Sequence, residues 1–153
     1  MENKSFWLKN MIVLGHGAPN HVEKVNDQGR CACIWSEEKG YCRIYPIPYG
    51  FIHDWEIIDV EVRKPTNDGR ENTFTIFDYE KDWKKMYLHI LVHKNKNGKR
   101  VNLWETKRDW CITLIRNLSV DSFSDVKNNK RSFGMIKPSV ICIANSAGLI
   151  RKS

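Results

Sequence analysis

At 153 residues the chain is long enough for one domain with a real core, and a second independent domain is not expected. Apolar residues make up 41% and there are six Trp, a composition that excludes a disordered polypeptide. The formal charge of +7 points to an anionic partner, of which nucleic acid is the commonest, and against it stands the plainer reading of solubilising charge mixed with 18 acidic residues.

No apolar run reaches the length of a membrane span, and Met1–Lys9 lacks the apolar centre of a signal peptide. Five Cys is an odd number without the spacing of a secreted disulfide framework. A reducing, cytoplasmic setting and no membrane partner are therefore expected.

In chain order, residues 1–10 read as a frayed end or a short docking segment carrying Phe6 and Trp7. Met11–Leu14 is a first strand, and Gly15–Asn20 a turn whose two Gly do not make a phosphate loop. Residues 30–36 and 41–45 are two strands joined by Glu37-Glu38-Lys39-Gly40, with Gly40 free to take positive φ. Pairing Ser36 with Tyr41 puts Cys31, Cys33, Trp35, Cys42 and Ile44 on a core face. Ala32, Ile34, Tyr41, Arg43 and Tyr45 then share the opposite face. One residue more or less in the loop would change which faces coincide.

Pro46 and Pro48 lack the ladder donor, so this strand is expected to end near Tyr45. Gly50 makes a bend. Trp55–Lys64 alternates, with Ile58, Val60 and Val62 inward and Asp59, Glu61 and Arg63 outward. Pro65, Asn67, Asp68 and Gly69 stop it. Phe74–Phe77 is a short strand, and Asp78 caps a helix over 79–93 with Trp83, Met86, Tyr87, Ile90 and Leu91 on one face. The basic turn 94–100 leads to a second helix over 103–118, capped by Asn102, with Trp104, Cys111, Leu114, Ile115 and Leu118 on its apolar face. Residues 120–129 are loop or weak helix, 133–137 and 140–144 are strands split by Pro138, and 146–153 form a loose basic tail.

This succession of strands, two helices and strands predicts a single α+β domain over 1–153. Its expected form is a small antiparallel sheet or partial β-barrel of the oligonucleotide-binding or SH3-like type, with two packed helices.

Several constellations invite a chemical reading. Cys31, Cys33 and Cys42 could offer three thiols to zinc, but Cys-x-Cys on a flat strand lacks the chelating geometry of a zinc knuckle, and core packing explains them better. His89 and His93 have metal-binding spacing on a helix, yet residues 89–93 read HILVH and lack the glutamate of HExxH. Asp59 and Glu61 share a strand face and suggest a Mg2+ nuclease, but the acidic-x-Lys element is replaced by Glu61-Val62-Arg63. No nucleophile set is identifiable, and no cofactor or metal is expected. Arg43 between Tyr41 and Tyr45 combines a phosphate donor with stacking surfaces. Arg63 and Arg70 follow nearby, and Lys130, Arg131 and Lys137 extend the basic set.

Cys31-Ala32-Cys33-Ile34, then Arg43-Ile44-Tyr45-Pro46-Ile47-Pro48, resembles an uncharacterised bacterial family whose members carry Cys-x-Ala-Gly followed by Trp-Ile-Arg-Leu-Tyr-Pro-x-Pro. The resemblance extends to Asp68-Gly69-Arg70, Thr73-Phe74 and Ser132-Phe133-Gly134-Met135-Ile136-Lys137-Pro138. Asn72 departs from it, standing where the family has Glu. The resemblance implies a bacterial β-rich module and singles out Arg43, Tyr45, Arg70 and Lys137.

The expectation drawn from all this is a non-catalytic, nucleic-acid-contacting subunit of a larger bacterial assembly, with another protein as partner. Its binding set is Tyr41, Arg43, Tyr45, Arg63, Arg70, Lys130, Arg131 and Lys137. The alternatives are a protein–protein adaptor using an aromatic patch and a Mg2+-dependent nuclease using Asp59 and Glu61.

Overall fold

The structure is a computed structural model that describes residues 4–120, 124, 127, 135–136, 141–145 and 148–152. Strand β1 (Phe6–His16) is followed by β2 (Asn20–Val22), a 3-10 turn over Glu23–Val25, β3 (Asp27–Ser36), β4 (Gly40–Pro48), β5 (Ile57–Arg63) and β6 (Thr73–Ile76). Five of these close a barrel in the order β1-β3-β4-β6-β5, with β5 pairing back to β1. β2 extends β3 at one end.

The barrel is mixed where an antiparallel sheet was expected: β4 and β6 run parallel and the other four pairings are antiparallel. Parity forces this, since an odd number of strands cannot close with every neighbour antiparallel. Counted along the chain, the five strands stand in the order 1-2-3-5-4. That is the Greek-key order of an oligonucleotide-binding barrel.

The interior is built by period-2 alternation. Ile58, Val60 and Val62 of β5 are fully buried, as the sequence pattern predicts. They meet Leu8, Met11 and Val13 of β1, Ala32 and Ile34 of β3, Cys42 and Ile44 of β4, and Phe74 and Ile76 of β6. Each fully buried aliphatic side chain contributes about 1.5–3 kcal/mol. Phe6 and Trp7, expected in a frayed end or a short docking segment, pair with Val62 and Glu61 and belong to β1.

Three bulges curve the sheet so that it can close. In β1, Lys9 and Asn10 together oppose Asp59, whose Oδ1 accepts the Asn10 N–H at 2.8 Å. Leu14 is the extra residue against β3. In β4, Tyr45 and Pro46 together oppose Cys31. The last explains why β4 does not stop at Tyr45. A bulge leaves one residue unpaired, so Pro46 costs no ladder bond there, and pairing resumes at Ile47 with Arg30.

The β3–β4 register differs by one residue from the expected one. Ser36 pairs with Gly40, Trp35 with Tyr41 and Ile34 with Cys42. Gly40 takes φ +68°, a conformation that shortens the loop to three residues, and Ser36 Oγ accepts the Lys39 N–H at 3.0 Å. Ala32 and Ile34 therefore face the interior with Cys42 and Ile44, while Cys31, Cys33 and Trp35 lie on the other face with Tyr41, Arg43 and Tyr45.

The expected helix over 79–93 is replaced by one α turn, α1 (Tyr79–Asp82), a 3-10 segment Trp83–Leu88 broken at Lys85, and strand β7 (Ile90–Val92). β7 pairs with the stretch Ile58–Val60 of β5. Trp83, Met86 and Ile90 are buried as expected, but Tyr87 of the 3-10 segment is exposed, and so is Leu91, because strand alternation wins over the 3.6 period from residue 90 onward. Asp78 makes no side-chain cap.

The second expected helix forms in two pieces, α2 (Leu103–Thr106) and α3 (Arg108–Leu118), bent at Lys107. Asn102 caps it, its Oδ1 accepting the Glu105 N–H at 3.2 Å. Cys111 and Leu114 pack with Leu103 and with Ile12 on the outside of β1, and Trp35, Trp55 and Trp104 border this second core. Trp55 and Trp104 stack at 5.8 Å.

Farther along, β8 (Ser119–Val120) pairs in parallel with β9 (Met135–Ile136), and β10 (Ile141–Asn145) forms a hairpin with β11 (Gly148–Lys152). The stretch expected as a loose tail is thus strand over 148–152. Among the described residues no helix is long and apolar enough to cross a membrane.

Candidate functional site

The outward residues of β4, β6 and β5 form the floor of an open groove of about 360 Å³. Strand register fixes their rows. Arg43 stands beside Thr73; Tyr45 stands beside Thr75, which stands beside Arg63. Each points outward because its neighbours Cys42, Ile44, Phe74, Ile76 and Val62 point inward. The 64–72 loop forms one wall with Asp68 and Arg70. Lys24, from the 3-10 turn after β2, and Tyr79 of α1 close the opposite side.

Among the described residues four cations, Lys24, Arg43, Arg63 and Arg70, meet one carboxylate, Asp68, around this groove. Arg70 grips Asp68 in a fork, Nε to Oδ1 at 2.9 Å and Nη2 to Oδ2 at 2.5 Å. These hydrogen bonds, with the Arg70 backbone N–H and the charges of Arg70 and Arg43, hold the Asp68 carboxyl well below the usual carboxylate range. Lys24 donates to Glu80 at 2.9 Å, which raises its pKa. Among the described residues Arg43 and Arg63 have no carboxylate within ion-pair distance. Arg43 lies over the Tyr45 ring at 5.5 Å, and the Arg63 guanidinium donates to the Lys64 carbonyl at 3.4 Å. The site is therefore net cationic, with an arginine already stacked on an aromatic face.

Of the eight residues expected in a binding set, the fold brings Arg43, Tyr45, Arg63 and Arg70 together. Tyr41 shares their outward face but lies outside the groove. It borders a second depression of about 390 Å³ with Trp35, Asn72 and Asn117, and its hydroxyl donates to the Leu118 carbonyl at 3.4 Å. Lys130, Arg131 and Lys137 lie outside the described residues. Lys24, Tyr79, Thr73 and Thr75 were not foreseen. Only the Thr-Phe-Thr alternation around Phe74 signalled two of them.

The basic turn 94–100 has a structural component: Arg100 ion-pairs with the buried Glu56 at 3.3 Å and donates to the Phe51 carbonyl at 2.8 Å.

The other constellations resolve into packing and pairing. Cys42 points into the barrel and Cys33 lies on the opposite face, so the three hairpin thiols do not converge. Burial and neighbouring thiols push the Cys33 thiol up to about 12, and burial pushes Cys42 up to about 11, far from a reactive thiolate. His89 and His93 do not share a helix. His89 is buried and bonded from both ring nitrogens, Nδ1 to Glu61 at 2.9 Å and Nε2 to Asp82 at 2.7 Å. His93 Nε2 bonds Asp59 at 2.8 Å. Glu61 also accepts from Ser5 Oγ at 2.6 Å. The two strand carboxylates are thus each engaged by a histidine. Among the described residues no group of three His, Cys, Asp or Glu side chains gathers as a metal site.

The family described as Domain of unknown function (DUF8758) matches residues 8–113, and the chain belongs to that family. This span takes in the barrel from Leu8 onward, β7, α2 and the start of α3. No curated protein matches the chain. No solved structure matches it.

Proposed function

We propose that the protein is a non-catalytic nucleic-acid-binding module whose groove takes the sugar–phosphate backbone of a single strand. The observation that carries this reading is the convergence of Lys24, Arg43, Arg63 and Arg70 on one groove floored by Tyr45 and two threonines. The groove also lies between the excursion that follows the first strand and the loop before the last, the two loops that flank the oligonucleotide face of a five-stranded Greek-key barrel, with the barrel's third strand, β4, which belongs to that face, in its floor. Arginine supplies forked phosphate contacts, and a stacked Arg–Tyr pair supplies a surface for a base.

Fluorescence anisotropy with labelled single- and double-stranded DNA and RNA tests it. Arg43→Glu and Arg70→Glu should each weaken binding of a single strand at least about tenfold, by replacing attraction with repulsion. Absence of binding to every form, or indifference to both reversals, contradicts the reading.

A second reading, a protein–protein adaptor within a larger assembly, draws on Tyr87, Leu88 and Leu91. These lie exposed beside the cationic barrel on the 3-10 segment and β7. A pull-down partner that survives nuclease treatment and high salt favours that reading, most clearly if Leu91→Lys abolishes it.

A further inference from the structure

The second depression continues the groove along β4. Tyr41, Arg43 and Tyr45 are successive outward residues of one strand, about 6.6 Å apart from one to the next. Arg43 and Tyr45 line the first groove and Tyr41 the second. The junction between them is narrow and ordered: Thr73 borders one hollow and Asn72 the other, and the Asn72 carbonyl accepts the Arg43 backbone N–H at 2.7 Å. Arg43 therefore stands at the boundary between a cationic hollow and one whose described lining is neutral.

The neutral hollow has a different chemistry. Its described lining carries no charged side chain. Trp35 and Tyr41 are direct cross-strand partners, so their rings stand side by side on the outer face. Both are held in place. Trp35 borders the core under α3, and the Tyr41 hydroxyl is tied to Leu118 at the end of that helix. Asn72 and Asn117 approach from the 64–72 loop and from α3, each exposed and each bearing a carboxamide. Fixed aromatic surfaces beside paired carboxamides suit the π-face and the hydrogen-bonding edge of an unpaired base. A carboxamide can donate and accept at once, which lets it read a base edge rather than a phosphate.

We infer that this hollow is a base-recognition subsite for a single strand whose backbone lies in the cationic groove. Trp35 and Tyr41 form its platform, and Asn72 and Asn117 read the base edge. This rests on the proposed backbone-binding role of the groove. It adds sequence preference to a site whose phosphate contacts carry none.

The test compares single-stranded homopolymers of adenine, cytosine and thymine, of about ten nucleotides, on the full chain and on an Asn72→Gly, Asn117→Ala variant. Asn72 has φ +58°, so glycine removes its carboxamide without straining the backbone. The wild type should discriminate between the best and worst homopolymer by about tenfold. The variant should bind all three alike while keeping the wild-type salt dependence. Equal binding of the three by the wild type, or discrimination that persists in the variant, overturns the subsite and leaves the groove's role standing if binding remains salt-dependent. Failure of every homopolymer to bind overturns both, and capture of a protein partner by the hollow that is lost in the same variant overturns the subsite.

Discussion

Arg43 and Arg70 carry the same charge but do not hold it in the same state. Arg70 is forked onto Asp68, and Arg43 is stacked on Tyr45 with no carboxylate at ion-pair distance among the described residues. Among the described residues Asp68 is the one carboxylate lining the groove, so on the proposed reading it opposes an incoming phosphate. We predict that Asp68→Asn tightens single-strand binding, by up to about fivefold, without lowering the melting temperature, since exposed ion pairs stabilise little. Weaker binding by that variant would mean that Asp68 itself contacts the ligand. His89 makes the opposite kind of contact, buried and structural. Burial opposes its protonation, but the hydrogen bonds to Asp82 and Glu61 and their charges outweigh burial, and the pKa is raised. Its contribution to folding is therefore complete below the ordinary imidazole value of about 6.5 and is lost as pH rises through the raised folded value. His16 shifts the other way, lowered first by burial and then by Arg30. Comparing His89→Gln with wild type isolates the His89 part. Urea denaturation should show a deficit of about 2 kcal/mol near pH 6 that shrinks toward pH 9. A deficit that does not change with pH contradicts a charged His89.

At the scale of elements, what could be read from the chain followed the strength of its pattern. β5 was legible because Ile58, Val60 and Val62 alternate without interruption. Arg63 followed from it. Arg43 and Tyr45 were legible as outward residues because they alternate with the apolar Cys42 and Ile44. The register of β3 was not, since Cys31, Cys33 and Trp35 on one face and Ala32 and Ile34 on the other let either one pass for core. The loop sequence Glu-Glu-Lys-Gly fits a loop of three residues as well as one of four. Residues 83–93 satisfied a helical period up to Met86 and a strand period from Ile90, and only pairing with β5 decides between them. Lys24 and Tyr79 carried no signal at all. They reach the groove because the barrel's closure brings the turn after β2 and the turn after β6 to one rim. That closure leaves little slack at Gly29 of β3, where a Cβ would stand 2.8 Å from Val22 Cγ2 and 3.1 Å from Trp83. Gly29→Ala should cost about 1–3 kcal/mol in chemical denaturation. A neutral result would show that the Trp83 corner can shift freely.

The whole molecule combines a net charge of +7 with a barrel that concentrates cations on one groove. Composition gave the sign of the net charge, while topology chose where the cations gather. It joined β4 to β6 in parallel and so set Arg43, Tyr45, Thr73, Thr75 and Arg63 side by side from three separated segments. The family match covers the barrel and assigns no activity, so the functional reading rests on this convergence. The most direct measurement of it is the salt dependence of single-strand affinity. With three or four phosphates neutralised, log K should fall linearly with log salt concentration at a slope of about −2 to −3, and Arg43→Ala should make the slope shallower by about 0.7. A slope near zero, or a slope unchanged by Arg43→Ala, would contradict the groove as the place where the strand is held.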